Sequence, residues 1–369
     1  MAGITSLKLM ELDFGRGWAG GQSQSFALVQ GLAERGHQLT CVGRADGVWL
    51  ERLADLPVQS TALSLGGRLD LAAVARLAAL MRQQQPQIIH SHDSLSFWLA
   101  GLAARMAQVN AALITHKRTD HSPGRAVLWR YRKLVDRVIA ISGAAERALL
   151  QAGVPQEKIA LVYSSVDTDR FHPGEVTKAA HFRAEVGLPP EALLVGTIGS
   201  LVPRKGHAVL LEAAQAILRD FPLARFVICG SGELENSLKE QADKLAIADQ
   251  VRFIGEWEDV RPLLASLEVF VLPSLAEGLG VSALEAMALG KALVVSRVGG
   301  LAETVAEGCS GLLVEPGNPA QLGEAIKRLL GDAALRETLG ANARLRAECT
   351  FSRKVMTDRT EEVYFSCIS

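Results

Sequence analysis

Residues 269–290 read VFVLPSLAEGLGVSALEAMALG, an apolar strand followed by a turn and a helix. Glu277 falls in the turn and Glu285 one turn into the helix, while Gly278 and Gly280 leave the backbone between them uncluttered. Free N–H groups and the positive end of the helix dipole favour a phosphate at a helix start. Carboxylates beside such an anion site are suited to accept hydrogen bonds from ligand hydroxyls. The segment therefore predicts a pocket for a sugar phosphate or a nucleotide.

An ordinary capped helix is the alternative interpretation of the same residues. Ser282 and Glu285 have the spacing at which a hydroxyl and a carboxylate cap a helix start. The residues of this segment alone leave both interpretations open.

The rest of the chain alternates short apolar runs with amphipathic helical stretches, which is typical of parallel sheets covered by helices on both faces. This pattern predicts an α/β fold with two doubly wound, Rossmann-like domains. The predicted strands are Leu7–Phe14, Gln38–Val42, Ile88–His90, Ala112–Thr115, Arg137–Ile141 and Ile159–Tyr163 in the first half, and Leu193–Ile198, Arg225–Cys229, Val251–Ile254, Val269–Leu272, Ala292–Val295 and Gly311–Val314 in the second.

Length and composition favour a soluble, two-domain protein. The chain has 369 residues, of which 49% are hydrophobic, enough for two cores. A short MAGITS leader precedes the first strand, and no apolar run approaches the ~20 residues of a membrane span. The five cysteines lie singly, without the spacing of a zinc site or a disulfide framework. We therefore expect a cytoplasmic protein.

The charge of the chain is unevenly distributed. Its net charge is −1, but residues 1–172 carry 19 Lys and Arg against 14 Asp and Glu, and the remainder carries 20 against 26. In residues 117–137, Trp129 and Tyr131 are interleaved with basic residues. This predicts a surface for a membrane or an anionic acceptor, and a solvated helix with arginine stems lying along it is the alternative. The near-zero net charge argues against nucleic acid.

A glycine-rich loop follows the first strand. Gly15, Gly17 and Gly20 satisfy the G-x-G-x-x-G spacing of dinucleotide-binding loops, with a helix next in the chain. Arg44 and Asp46 follow the second strand, where a 2′-phosphate or ribose partner would stand. An NAD(P)-dependent oxidoreductase is therefore an alternative, although it leaves the two glutamates unexplained. A non-catalytic protein that binds sugar nucleotides is another.

The segment FVLPSLAEGLGVSALEAMALGKALVVSRVGGLAETV, residues 270–305, resembles the donor-site signature of the retaining glycosyltransferases of family 4. These enzymes carry two glutamates separated by seven residues and then EAMA-G-P-V-V. The resemblance covers nearly the whole chain and is strongest over residues 193–314. It implies a GT-B fold with the active site in the interdomain cleft, and transfer of a sugar from a nucleotide-diphosphate donor to an acceptor hydroxyl without a metal ion.

The resemblance also implies a domain plan. Residues 164–175, SSVDTDRFHPGE, resemble the family's NGVD-x-x-x-F-x-P connector, with two serines in place of Asn-Gly. The implied domains are an acceptor domain over 1–170, a donor domain over 171–350, and a final helix in 351–369 that crosses back to the first domain.

Donor-site residues follow from the matched motifs. Residues 198–206, IGSLVPRKG, resemble the G-R-L-x-x-x-K-G loop, so that Lys205 matches the family lysine and Ser200 takes the arginine position, with Arg204 as a substitute. The resemblance implies that these cations neutralise the diphosphate, that Glu277 holds the donor sugar and that Glu285 binds the ribose. The other implied donor contacts are Gly20, Gly21, Gly230, Gly232, Gly278, Leu279, Gly280 and Val281.

The first half supplies the remaining candidates. His116 follows a strand and resembles the family histidine beside the donor sugar, so we count it with Lys205 and Glu277 as catalytic. His92 and Asp93, with Lys117 and Arg118, are expected to line the acceptor side.

A metal site is not expected. His90 and His92 make a weak metal site on the expectation that they point to opposite faces of their strand, and Asp167-Thr-Asp169 is better explained by turn chemistry. We expect no cofactor beyond the nucleotide-sugar co-substrate, with UDP favoured because it is common in the family.

The basic first half suggests an anionic acceptor. A cell-envelope glycolipid or a lipopolysaccharide core, reached by peripheral contact with the inner face of the membrane, fits this charge.

Overall fold

A computed structural model of the protein describes residues 6–66, 70–175 and 179–368. All but the last residue of the MAGITS leader lie outside the described residues. The chain forms two compact units, the first comprising residues up to Ser165 together with those from Arg353, and the second comprising Val166–Ser352. The domain boundaries expected from the connector motif stay a prediction.

Unit 1 is built on a seven-stranded parallel sheet in the order β3-β2-β1-β4-β5-β6-β7. Its strands are β1 (Lys8–Asp13), β2 (Gln38–Arg44), β3 (Gln59–Leu63), β4 (Ile88–Ser91), β5 (Ala112–Lys117), β6 (Arg137–Ala140) and β7 (Ile159–Leu161). Its helices are α1 (Gly20–Glu34), α2 (Trp49–Arg52), α3 (Leu71–Gln84), α4 (Ser94–Ala107), α5 (Arg125–Lys133) and α6 (Gly143–Gln151), with a 3₁₀ turn at Gln156–Lys158.

Unit 2 repeats the plan with a six-stranded parallel sheet in the order β10-β9-β8-β11-β12-β13. Its strands are β8 (Leu193–Ile198), β9 (Ala224–Cys229), β10 (Val251–Gly255), β11 (Val269–Leu272), β12 (Ala292–Ser296) and β13 (Leu312–Val314). Its helices are α7 (Ala179–Glu185), α8 (His207–Asp220), α9 (Glu235–Lys244), α10 (Arg261–Ser266), α11 (Val281–Ala288), α12 (Leu301–Thr304), α13 (Pro319–Gly331) and α14 (Ala333–Thr350), with 3₁₀ turns at Pro173–Glu175, Pro203–Lys205 and Ala248–Gln250.

The last helix, α15 (Arg353–Ile368), belongs to unit 1. Its Glu361 accepts a hydrogen bond from Arg35, and its second carboxylate oxygen lies 2.6 Å from Nε2 of His37. Met356 and Val363 join the apolar cluster on the α1 side of the sheet. The helix expected near the end of the chain is therefore present, and it covers one face of the first sheet.

Both faces of the first sheet are apolar because alternate residues of a strand point to opposite sides. Leu9 packs on the α1 and α15 side, and Met10 and Leu12 pack on the α3 and α4 side. Glu11 is the exception in this strand, with no exposed surface although it carries a carboxylate. A charged group in such a position requires dedicated partners.

The predicted strands are confirmed, but β3 was missed. Its sequence, QSTAL, is mostly polar, and only its last residue is buried. It pairs with β2 alone at the edge of the sheet, so the apolar signature of a doubly covered strand is absent.

Gly230 lies just after the end of β9, where its backbone closely approaches that of Gly199 in the loop after β8. Its φ is 136°, and a Cβ placed there would lie 2.1 Å from the carbonyl oxygen of Gly199. We expect Gly230→Ala to lower the free energy of unfolding by about 3 kcal/mol, from backbone strain and the clash together. Gly17→Ala is the control, since a Cβ there meets nothing within 4 Å. Equal urea midpoints for the two variants would contradict this account.

Candidate functional site

The strand orders place a crevice in each unit. In a doubly wound sheet, ligands bind beyond the carboxyl ends of the two strands where the order reverses. These strands are β1 and β4 in unit 1, and β8 and β11 in unit 2. The loops that follow them carry most of the predicted site residues.

In unit 2, an ion pair connects the loop after β8 to the loop after β11. Lys205, 9% exposed, donates a hydrogen bond to the carboxylate of Glu277, and Nη1 of Arg204 lies 3.8 Å from the same group. The carbonyl of Arg204 also accepts from the N–H of Leu275 at 2.7 Å. The structure thus brings together two of the residues predicted to be catalytic and one predicted donor contact.

Helix α11 begins beside this ion pair. Its N-cap is Gly280, with φ of 84° and no side-chain cap. The capping-box alternative is therefore wrong, and the hydroxyl of Ser282 instead donates to the carbonyl of Ile198 at 3.0 Å. Because no side chain caps the helix, its first N–H groups remain suited to an anion.

Glu285 lies on the second turn of α11 and is only partly exposed. Burial raises the pKa of this carboxyl to about 7, and the positive charge of Arg170 opposes part of the rise. The group therefore changes its charge close to neutral pH.

The remaining donor candidates in unit 2 flank these loops. Gly230 donates its N–H to Gly255 at 2.7 Å, and Ser231 donates its hydroxyl to Glu256. Ser200 is exposed, and its carbonyl lies 3.2 Å from Nε2 of His207. The other candidates are Gly232 in the loop after β9, and Gly278, Leu279 and Val281 between Glu277 and the first turn of α11, where the Leu279 side chain is buried and only its backbone is available to a ligand.

In unit 1, a cavity of about 820 Å³ lies beyond β4 and β5. Aromatic rings and cations share its wall. The lining includes the predicted residues Gly21, His92, Asp93, His116, Lys117 and Arg118, together with Phe97, Trp98 and Tyr131. The structure therefore gathers the predicted acceptor residues and His116 around one space.

Arg118 is a partly exposed cation of the cavity wall. Its Nε donates to the carbonyl of His92 at 3.3 Å, and Nη2 is buried without a partner among the described residues. Burial lowers its pKa, while Asp13 and Asp93 act in the opposite direction. Lys117 is better satisfied, since its ammonium donates to the Thr119 hydroxyl at 2.9 Å.

Asp93 has a structural task besides lining the cavity. One carboxylate oxygen caps α4 through the N–H groups of Leu95 and Ser96, and the other accepts from the N–H of Phe14 at 2.6 Å. It thus ties the end of β1 to the start of α4.

His90 and His92 do not point to opposite faces, so that expectation is wrong. Residues two apart in a strand share a side, and the two ring centroids are 4.4 Å apart. The ring of His116 stacks on that of His90 at 4.5 Å. Sequence reasoning also missed Glu11 and Tyr364, which hydrogen-bond to these rings. The carboxylate inside an apolar strand was the available signal.

The glycine loop after β1 is explained without a dinucleotide. Helix α1 begins at Gly20. The guanidinium of Arg44 donates two hydrogen bonds to the carboxylate of Asp46, at 2.7 and 3.0 Å. The two charged groups therefore pair with each other. The N–H of Gly15 donates to the carboxylate of Asp13 at 3.0 Å, and the side-chain amide of Gln22 donates to the same oxygen at 3.1 Å.

Asp167 and Asp169 form a turn, as predicted. The carboxylate of Asp167 accepts from the N–H groups of Asp169 and Arg170 at 3.1 and 3.0 Å.

No helix among the described residues is long and apolar enough to cross a bilayer.

Two parallel, doubly wound sheets define the GT-B class of glycosyltransferases, and solved structures of that class share the fold. Anabaena HepE, solved with UDP and glucose, matches with a TM-score of 0.87 at 22% identity, over 98% of this chain and 100% of its own. The lipopolysaccharide outer core galactosyltransferase WaaB matches with a TM-score of 0.73 at 15% identity, over 97% and 99% of the two chains.

Sequence comparison gives the family. Family models described as "Glycosyltransferase Family 4" and "Glycosyl transferases group 1" match residues 18–170 and 179–346. The D-inositol 3-phosphate glycosyltransferase of Streptomyces avermitilis is 31% identical over 336 residues, which are 84% of this chain and 70% of that protein. The chain belongs to glycosyltransferase family 4, as its motifs predicted, and this favours a glycosyltransferase over an oxidoreductase.

The Lys205–Glu277 pair gives a test of how strongly the two loops are coupled. Either side chain alone would be left charged and nearly buried, so we expect Lys205→Ala and Glu277→Ala each to cost about 2 kcal/mol of stability. The double variant should lose less than the sum of the two, by about 1 kcal/mol or more.

The exposed i,i+4 pair of Lys239 and Glu235 on α9 is the matched control. Its double-mutant cycle should give a coupling energy of no more than about 0.5 kcal/mol. The coupling energies are measured by denaturant unfolding. Similar values for the two pairs would show that burial does not strengthen the Lys205–Glu277 interaction.

Proposed function

We propose that the protein is a retaining glycosyltransferase that moves a sugar from a nucleoside-diphosphate sugar, with UDP as the nucleotide, to an acceptor hydroxyl. The observation that carries this proposal is the Lys205–Glu277 pair beside the uncapped start of α11, with Glu285 one turn further on. A cation, free N–H groups and two carboxylates together match a ligand that carries phosphates and hydroxyls. The relatives support the donor, since HepE structures hold UDP, UDP with glucose, and UDP-glucose.

The donor is bound by unit 2 in this proposal. Lys205 and Arg204 neutralise the diphosphate and stabilise the negative charge that grows on it as the glycosidic bond breaks. Glu277 accepts from donor-sugar hydroxyls, and Glu285 accepts from the ribose. These cations take the part that a metal ion plays in other transferases, so the diphosphate itself needs no metal.

The transfer proceeds on one face of the sugar. The acceptor oxygen bonds to the anomeric carbon as the bond to the diphosphate breaks, and the leaving phosphate oxygen takes the acceptor proton. His116 hydrogen-bonds the donor sugar or its phosphate. Neither of its ring nitrogens has a partner among the described residues, which leaves them available for such a bond.

The acceptor enters the cavity of unit 1 and carries a negative charge. Arg118 and Lys117 supply positive charge there, and three aromatic side chains supply apolar wall. The names of the relatives agree with this chemistry, since one acts on an inositol phosphate and another on a lipopolysaccharide core. Trp129, 53% exposed on the basic helix α5, supports peripheral contact with an anionic membrane at its inner face.

Calorimetric titration tests the donor. UDP, GDP, ADP, NAD and NADP are each added to the full chain without metal, and micromolar binding of UDP is the expected result. Binding of NAD or NADP alone would overturn the proposal in favour of the oxidoreductase. Where transfer is found, the anomeric configuration of the product, read by NMR, decides between retention and inversion.

Donor binding should strengthen with pH because Glu285 must be ionised to accept from the ribose. A carboxyl that burial raises to a pKa of about 7 is mostly neutral below that value and mostly charged above it. We expect the affinity for UDP-glucose, whose diphosphate does not titrate in this range, to rise roughly tenfold between about pH 6 and about pH 8.

Glu285→Gln is the control for this pH dependence. The amide has no proton to lose, so its affinity should be lower at alkaline pH and flat across the range. If the affinity for UDP-glucose rises equally with pH in the variant and in the wild type, Glu285 does not bind the donor.

Arg118 should determine the affinity for the acceptor. Replacing it with Met removes a charge-assisted contact, so we expect KM for a phosphorylated acceptor to rise roughly tenfold to a hundredfold with little change in the KM for donor. Arg105→Gln, an exposed position on α4, is the control. Equal KM values of the two variants for the phosphorylated acceptor would contradict the anionic assignment.

A further inference from the structure

Three histidines meet in the core of unit 1, at the ends of β4 and β5. His90 and His92 are fully or nearly buried, and both ring nitrogens of His116 are shielded from solvent. One ring nitrogen from each of the three lies within 4.8 Å of the others.

Two side chains outside the cluster set its tautomers. Tyr364 has one hydroxyl proton, which it donates to Glu11 at 3.0 Å, so its oxygen must accept from Nδ1–H of His90 at 2.5 Å. The other carboxylate oxygen of Glu11 accepts from Nε2–H of His92 at 2.6 Å. The lone pairs that remain are on Nε2 of His90 and Nδ1 of His92.

No donor in the described part of the chain forms a hydrogen bond to these lone pairs. Nε2 of His90, Nδ1 of His92 and both ring nitrogens of His116 are buried without a hydrogen-bond partner among the described residues. Each buried, unsatisfied polar atom costs about 1–3 kcal/mol. Four of them in one cluster favour a shared ligand for these nitrogens.

Charges of both signs surround the rings. Glu11 is wholly buried beside them, and Asp13 acts electrostatically on His92. The guanidinium of Arg118 acts in the opposite direction on all three histidines. The buried carboxylate of Glu11, which accepts from His92, would offset part of the charge of a bound cation.

We propose that His90, His92 and His116 bind a divalent first-row transition metal such as Zn²⁺, with Glu11 and Tyr364 orienting two of the ligands. Metal-bound histidines usually donate their second N–H to a carboxylate or another oxygen, which is the arrangement of His90 and His92. Three imidazoles suit Zn²⁺, Cu²⁺, Ni²⁺ or Fe²⁺ rather than Mg²⁺. This inference does not rest on the proposed function, and all three ligands and both orienting side chains belong to unit 1.

The ligands must close around the ion. Zn–N bonds are about 2.0–2.1 Å long, so the spacing of up to 4.8 Å between ring nitrogens has to shrink. His116 can turn at no cost in hydrogen bonds, because neither nitrogen makes one within the described part of the chain. Its second nitrogen stays free for the sugar. His92 and His116 line the cavity, so a fourth position is open to water or to an acceptor hydroxyl.

Metal content and spectroscopy test this proposal without any transferase assay. The full-length protein is stripped with EDTA, equilibrated with Zn²⁺ or Co²⁺, desalted and analysed. We expect one ion per chain by mass spectrometry of the metal, the visible absorption of Co²⁺ bound by nitrogen in a low-coordinate site, and a higher Tm with Zn²⁺ than without. His116→Ala should lose the ion, and His181→Ala, an exposed histidine of unit 2, should keep it.

Tyr364→Phe is a second variant that tests the proposal even when His116→Ala fails to fold. It leaves all three ligands in place and removes only the hydroxyl that orients His90, so we expect the affinity for Zn²⁺ to fall roughly tenfold to a hundredfold. Less than one ion retained by folded wild-type protein would overturn the proposal. So would equal retention by wild type and His116→Ala, since the ion would then be bound elsewhere on the surface.

Discussion

The constraint on which the structure depends is that every strand of each sheet runs in the same direction. Parallel strands bring all their carboxyl ends to one edge, and the reversal of strand order opens a gap there between two neighbouring loops. The order around β1 and β4 and the order around β8 and β11 are the same. Residues far apart in sequence, such as Lys205 and Glu277, therefore meet because of the winding and need no local signal.

The sequence was most informative where one motif carries its own geometry. The strand, turn and helix around Glu277 and Glu285 are local, so spacing alone placed one glutamate in the turn and the other on α11. The edge strand β3 and the partners of His90 could not be found in this way. β3 is largely polar, and Tyr364 reaches Glu11 from 353 positions away, so no window of sequence contains both.

The buried carboxylate of Glu11 departs from the rules of a stable core. Desolvation raises its pKa, while His90 and the hydroxyl of Tyr364 act to lower it. An apolar residue in the middle of β1 would avoid this cost altogether. That the position holds a glutamate, with a histidine and a tyrosine to satisfy it, is explained by the orientation it gives to the imidazoles.

The buried ion pair of unit 2 bears on how a ligand of the proposed function would enter. In unit 2, Lys205 and Glu277 satisfy each other, so a ligand must separate them. A nucleotide sugar is suited to do so, because its phosphate replaces the carboxylate on the lysine and its hydroxyls replace the ammonium on the glutamate. A phosphate without hydroxyls, or a sugar without a phosphate, would satisfy one partner and leave the other buried alone. In the proposed function, the pair would therefore discriminate in favour of a ligand that carries both groups at once.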